Sequence, residues 1–132
     1  MKNSIEALNT YSDVGVRSSV SVASPHRLIE MLFSKAQEHL NVAIGSIQRG
    51  DLQRKAHALG KVLDILEYLR VCIDPGIDAD FADQLAELYA YMERTVTEAN
   101  LEDDPGKLEE VLSLLAEVKS GWTGIPEEYK VQ

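Results

Sequence analysis

Three histidines, one cysteine and a run of aspartates around a turn are the side chains of this sequence best suited to chemistry. A carboxylate-bridged metal centre in a helical bundle needs Glu-x-x-His on two helices, so that both ligands meet at one interior point. The residues three places before His26, His39 and His57 are Ala23, Ala36 and Arg54, so that pattern is missing. Asp74, Asp78, Asp80 and Asp83 have the composition of a calcium loop. Counted from Asp78, however, the fifth and twelfth places fall on Ala82 and Tyr89, where an EF-hand requires oxygen ligands. These aspartates read as N-cap carboxylates at a helix start. Neither a Gly-x-Gly-x-x-Gly turn nor a Walker-type lysine loop occurs, so no phosphate cradle is indicated. Cys72 has no histidine near it in sequence and reads as a buried apolar side chain rather than a nucleophile. His26 and Glu30, at i and i+4, read as a surface pair of a first helical turn rather than an acid/base couple. The chain is expected to be no enzyme and to need no metal, no cofactor and no small-molecule substrate.

The 132 residues carry 13 Lys and Arg against 22 Asp and Glu, a formal charge of -9. A chain of this length forms one domain that buries about two-thirds of its unfolded surface without metal or disulfide staples. The acidic balance argues against nucleic acid and anionic membranes, which repel a net-negative surface over the Debye length. A single cysteine suits a reducing compartment. Met1 to Val20 lacks the apolar core of a signal peptide, and no apolar run approaches the roughly 18 residues of a membrane span. A soluble, cytoplasmic protein is expected.

Glycine and proline divide the sequence into a polar leader and four periodic blocks. Residues 1–23 are rich in Ser, Asn and small side chains, with Tyr11 as the one large anchor, and are expected to be mobile or loosely docked. Ser24-Pro25 reads as an N-cap followed by proline at the first helical position. Leu28, Ile29, Leu32, Phe33, Ala36, Leu40, Ala43 and Ile47 then mark one face of a helix running to about Arg49. Gly50-Asp51 joins it to an antiparallel second helix, Leu52 to Ile73, which Asp74-Pro75-Gly76 closes. Asp78 or Asp80 caps a third helix with Phe81, Leu85, Leu88, Tyr89, Met92, Val96 and Ala99 on its face. Asn100 to Asp103 is expected as loop. Asp104-Pro105 opens a fourth helix striped by Leu108, Val111, Leu112, Leu115, Val118 and Trp122, which Gly121, Gly124 and Pro126 end. No stretch alternates with period two for long enough to make a strand. The fold predicted is all-α, an antiparallel up-down-up-down four-helix bundle over 24–124, with a leader acting as a lid and a tail at 125–132.

Helix two carries more apolar surface than one bundle seam can use. Leu52, Leu59, Leu63, Leu66 and Ile73 share a face, while Ala58, Val62, Ile65, Leu69 and Cys72 make a second stripe turned by roughly 80°. Tyr89 and Tyr91 flank the stripe of helix three. One reading sets helix two deep between two neighbours. The other lets the second stripe border a groove in which an amphipathic segment of another chain lies as an added helix. The leader then serves as an intramolecular cover with Tyr11 as its plug.

The sequence resembles the FliS family of flagellin-specific export chaperones over most of its length. Ala23-Ser24-Pro25-His26-Arg27-Leu28-Ile29-Glu30-Met31-Leu32-Phe33 is similar to that family's signature at the start of its first long helix. Gly50-Asp51, the run Leu88-Tyr89-Ala90-Tyr91-Met92, Ala99-Asn100, Glu110-Val111 with Leu114-Leu115, and Trp122 follow in the family's order. Ser34-Lys35 departs from the acidic residue and glycine common there, and the turn at Asp74 to Asp78 lacks the usual glycine pair. The resemblance implies a cytoplasmic chaperone that binds the disordered C-terminal segment of flagellin, prevents its polymerisation and delivers it to the type III export apparatus. Components of that apparatus and other flagellar proteins are further partners it implies. Tyr11 matches the family's leader tyrosine. Taken with the two helix faces, the expected partner-binding set is Tyr11, Ala58, Val62, Ile65, Leu69, Leu88, Tyr89 and Tyr91. A self-associating structural bundle and a four-helix metal protein are the alternatives.

Overall fold

The computed structural model describes residues 25–73, 76 and 78–124. The expected lid, with Tyr11, and the tail at 125–132 lie outside the described residues. Four helices follow one another: α1 Pro25–Arg49, α2 Leu52–Val71, α3 Ala79–Glu102 and α4 Pro105–Gly124. Each packs on two neighbours, α1 on α2 and α4, and α3 on α2 and α4. This is the all-α four-helix bundle that the spacing predicts, with no strand among the described residues.

The turns follow from their residues. Gly50 takes φ 74, a left-handed conformation open to a residue without Cβ. Its N–H donates to the Ile47 carbonyl at 3.1 Å and that of Asp51 to Ser46 at 2.8 Å, the paired closure of a Schellman motif. The Asp51 carboxylate then accepts from the Arg54 N–H at 3.1 Å and caps α2. Of the two caps expected for α3, Asp78 is the one used, accepting from the Phe81 N–H at 3.0 Å. Asp104 accepts from the Gly106 N–H at 2.9 Å, with Pro105 opening α4.

Two boundaries differ from expectation. α2 stops at Val71, with Cys72 as its C-cap, rather than reaching Ile73. α3 runs on through Asn100 to Glu102, where a loop was expected. The reason for the second lies across the bundle. Lys55, 6% exposed, donates from Nζ to the Asn100 carbonyl at 2.9 Å and to the Asp103 carboxylate. These bonds tie the start of α2 to the end of α3 and offset the cost of Asp103 at φ 53, a conformation unusual outside glycine.

The centre is apolar and continuous. Leu32, Phe33 and Leu40 of α1 meet Leu59 and Leu66 of α2, Met92 and Val96 of α3, and Leu108, Val111 and Leu115 of α4. Each such side chain contributes about 1.5–3 kcal/mol relative to exposure. The buried hydroxyls of Ser46 and Thr95 donate to the carbonyls four residues before them, at 2.8 and 2.9 Å, so neither is left without a bond.

His39 makes the α1–α2 contact sensitive to pH. Burial first, then the charges of Lys35 on its own helix and Lys61 and His57 on α2, lower its pKa from 6.5, while Glu38 raises it. The folded state therefore binds this proton less readily than the unfolded chain, so the contribution is present above about pH 6.5 and lost as pH falls through the lowered value. Urea midpoints should drop between pH 7.5 and pH 5.5 by more in the wild-type chain than in His39→Gln. An equal drop would place the titration elsewhere.

Candidate partner-binding surface

The site begins with α2, because a helix between two neighbours buries a wide arc and leaves a narrow one outside. Arg70 Nε donates to Glu93 Oε2 at 3.0 Å and Lys55 reaches Asn100, which fixes the edge of α2 that faces α3. Ala58 and Leu69 are 3% exposed and Val62 and Ile65 are 0% exposed, all members of the central cluster. They are packed among the helices rather than exposed. α1 lies against one side of α2 and α3 against the other, so both predicted stripes point largely inward. Leu59 and Leu66 of the first stripe are buried as well.

The apolar surface of α2 that remains outside is a different one. Leu52 is 51% exposed and Val71 41% exposed, at opposite ends of the helix. Between them Ala56 and Gly60 are exposed and Leu63 is half-buried. At about 100° per residue, Leu52 and Leu63 fall near Arg70 on the α3 edge, with Ala56, Gly60 and Val71 turned further outward. A Cβ added at Gly60 would meet nothing within 4 Å. A mid-helix glycine costs about 1 kcal/mol relative to alanine, and here its effect is a low, open place on the strip. Sequence reasoning missed this surface, although the spacing of Leu52, Ala56, Gly60, Leu63 and Val71 signals it.

α3 also keeps apolar side chains outside. Ala86 and Ala90 are half-buried on its outer side, and Phe81, expected on the inner stripe, is 53% exposed. The two tyrosines separate as expected of opposite flanks. Tyr89 is buried and burial pushes its phenol pKa up. Tyr91 is 38% exposed, donates from its hydroxyl to Glu110 Oε2 of α4 at 2.6 Å, and has the Arg94 guanidinium carbon 5.9 Å from its ring centroid. Tyr91 and half-buried Leu88 border a concavity of about 550 Å3 with Gln84, Glu87, Ala90 and Arg94. Of the expected partner-binding set, the structure thus places Leu88 and Tyr91 together at the surface, and Ala58, Val62, Ile65, Leu69 and Tyr89 inside.

The chemistry-bearing side chains sit apart from one another. Burial pushes the Cys72 thiol up and Tyr68, hydrogen-bonded with it, to about 12, so neither ionises readily near neutral pH. His26 Nε2 lies 3.6 Å from Glu30 Oε2, the i, i+4 pair, but both side chains are only 16% exposed rather than at the surface as expected. The His26 ring also rests 5.4 Å from that of Trp122, whose Nε1 donates to the His26 carbonyl at 3.3 Å. This pair joins α1 to α4. Among the described residues no three His, Cys, Asp or Glu side chains are grouped to hold a metal ion. None of their helices is long and apolar enough to cross a membrane.

Fold and surface together define an all-α bundle that keeps apolar side chains on the outside of two adjacent helices. The family model described as flagellar protein FliS matches residues 7–129. The chain is 39% identical over 123 residues to the flagellar secretion chaperone FliS of Vibrio cholerae, covering 93% of this chain and 90% of that one. It is also 39% identical over 121 residues to the flagellar secretion chaperone FliSB of Pseudomonas aeruginosa, covering 92% and 96%. To its counterpart in Bacillus subtilis it is 27% identical over 106 residues, 80% and 78% of the two chains. This chain belongs to the FliS family of flagellar secretion chaperones.

Proposed function

We propose that this protein binds the disordered C-terminal segment of flagellin in the cytoplasm, holds it back from polymerising and presents it for type III export, without catalysis. Membership of the FliS family supports the flagellar client. The observation that carries the reading is the set of apolar side chains left outside on α2, from Leu52 to Val71, and on α3, at Leu88 and Tyr91.

A disordered segment loses several kcal/mol of conformational entropy when it orders, which burial of its apolar face must offset. About 1,000 Å2 of apolar contact yields about 25 kcal/mol before ordering and association costs reduce it to an ordinary affinity. An extended client crossing the outer sides of two helices gathers such area where a compact pocket does not. Leu88 and Tyr91 touch the client in this reading. Ala58, Val62, Ile65, Leu69 and Tyr89 form the packed layer beneath. Components of the export apparatus then receive the loaded complex.

Sedimentation velocity of the full chain, with and without a flagellin C-terminal segment, tests this. One chaperone is expected to join one segment, with the free chain showing no concentration-dependent growth. Self-association unaffected by the segment would favour a structural bundle instead.

A further inference from the structure

The carboxylates of α3 divide into two groups. Glu93 lies 3.0 Å from Arg70 of α2, and Glu98 and Glu102 lie 3.1 and 3.2 Å from Lys107 of α4. Asp80, Asp83 and Glu87 are exposed, and among the described residues their side chains have neither an ion-pair nor a hydrogen-bond partner. The helix dipole accounts for Asp80 in the first turn, but its reach ends there. α3 has no cation before Arg94, whose guanidinium carbon is taken up 5.9 Å from the Tyr91 ring centroid.

The same turns carry apolar side chains that the bundle leaves open. Phe81 is 53% exposed, Tyr91 is 38% exposed and Leu88 is half-buried between them. With Gln84 they recur at i, i+3, i+7 and i+10, one side of a helix over about 15 Å. The Tyr91 bond to Glu110 of α4 and the Glu93 pair with Arg70 of α2 fix the two edges of α3, so this row lies toward α4 and the free carboxylates stand outward beside it. Gln84, Glu87, Leu88, Tyr91 and Arg94 line the concavity of about 550 Å3, where the apolar row and the acidic row meet.

We infer that this part of α3, with Phe81, Leu88 and Tyr91 as its apolar row and Asp80, Asp83 and Glu87 as its acidic rim, docks a basic amphipathic helix of a second partner protein. Because the reading above places the client on Leu88 and Tyr91, the basic partner and the flagellin segment exclude each other there. Charge decides the occupant. A wholly apolar segment leaves three carboxylates at its edge without counter-charge, and a second copy of this chain, at -9, brings like charge. A helix with one apolar side chain per turn fills the row, while Lys or Arg beside it at spacings of three and four meet carboxylates that repeat in the same way. Exposed ion pairs of this kind add little affinity singly, but they steer encounter and reject wrong partners. A chaperone that holds its client by apolar contact is then unloaded by a partner offering the same contact together with charge.

A fluorescein-labelled synthetic helix of about fourteen residues, with Leu on one side and Lys flanking it, is the probe, and its twin has Glu for every Lys. Titrated with the full chain and read by anisotropy at about 100 mM salt, the Lys peptide should bind at least about thirtyfold more tightly than its twin. Glu87→Lys and Phe81→Ser should each weaken it by about tenfold. Glu38→Lys, an equal charge change on α1, which packs on α2 and α4, should leave it within about twofold. All three positions are exposed, so the helical circular dichroism signal should persist. Excess Lys peptide should displace a labelled flagellin C-terminal segment. Equal binding of the two peptides, or equal losses in Glu87→Lys and Glu38→Lys, overturns the docking site, and saturating peptide that displaces no flagellin overturns the exclusion. Flagellin binding that ignores Leu88→Ser with Tyr91→Ser, while the peptide still selects for Glu87 and Phe81, overturns the client reading and the exclusion but leaves the basic partner's site standing.

Discussion

Replacing both Leu88 and Tyr91 by serine is expected to weaken binding of the flagellin C-terminal segment by about a hundredfold or more while the helical circular dichroism spectrum is kept. Partner-facing aromatic and aliphatic anchors each contribute about 2 kcal/mol when they dominate an interface, and two of them exceed the effect of polar rim contacts. The folded state has less to lose at these positions. Leu88 is only half-buried against the core, and the Tyr91 hydroxyl bond to Glu110 is exposed and competes with water. Isothermal titration with the purified segment measures the effect. Full affinity in the double variant would remove the α3 side of the track from the docking surface.

Val62→Asp should behave in the opposite manner and unfold the bundle. Val62 is 0% exposed within the central cluster. A carboxylate there loses its hydration and must be protonated or displace its neighbours, at a cost of several kcal/mol. Against a total stability of about 5–15 kcal/mol, such a loss leaves little folded protein at physiological temperature. The thermal transition is expected to fall sharply or vanish, and client binding to go with it. The same substitution read from sequence alone would look like a clean test of an open groove, with the helices intact. A variant that keeps both its melting temperature and its helical signal would show that Val62 lies at a surface that opens.

That contrast shows what periodicity can and cannot reveal. Pro25, Gly50-Asp51, Asp78 and Asp104-Pro105 are local signals, and each sits where the backbone chemistry requires it. The four helices are therefore legible almost to the residue. The end of α3 is not, because Asn100 and Asp103 are held by Lys55 from another helix, a contact that no local pattern encodes. The two stripes of α2 are legible as stripes, but a helical wheel gives angles on one helix without placing its neighbours. With α1 and α3 both against α2, the arc holding Ala58, Val62, Ile65 and Leu69 turns inward, and Leu52 and Leu63 fall at its outer edge. Leu88 and Tyr91 emerge on the surface because they lie at the margin of the α3 stripe, whereas Tyr89 stands within it. Nor does sequence order bring Lys35 and His39 beside His57 and Lys61; the tight turn at Gly50-Asp51 does.

Amide hydrogen exchange of the full chain, alone and saturated with the flagellin C-terminal segment, addresses the docking track most directly. Added protection should concentrate in Leu52–Val71 and Ala79–Glu102, with little change in Pro25–Arg49. Protection confined to α1 and α4, with α2 and α3 exchanging as in the free protein, would contradict a client laid along the outer strip of α2.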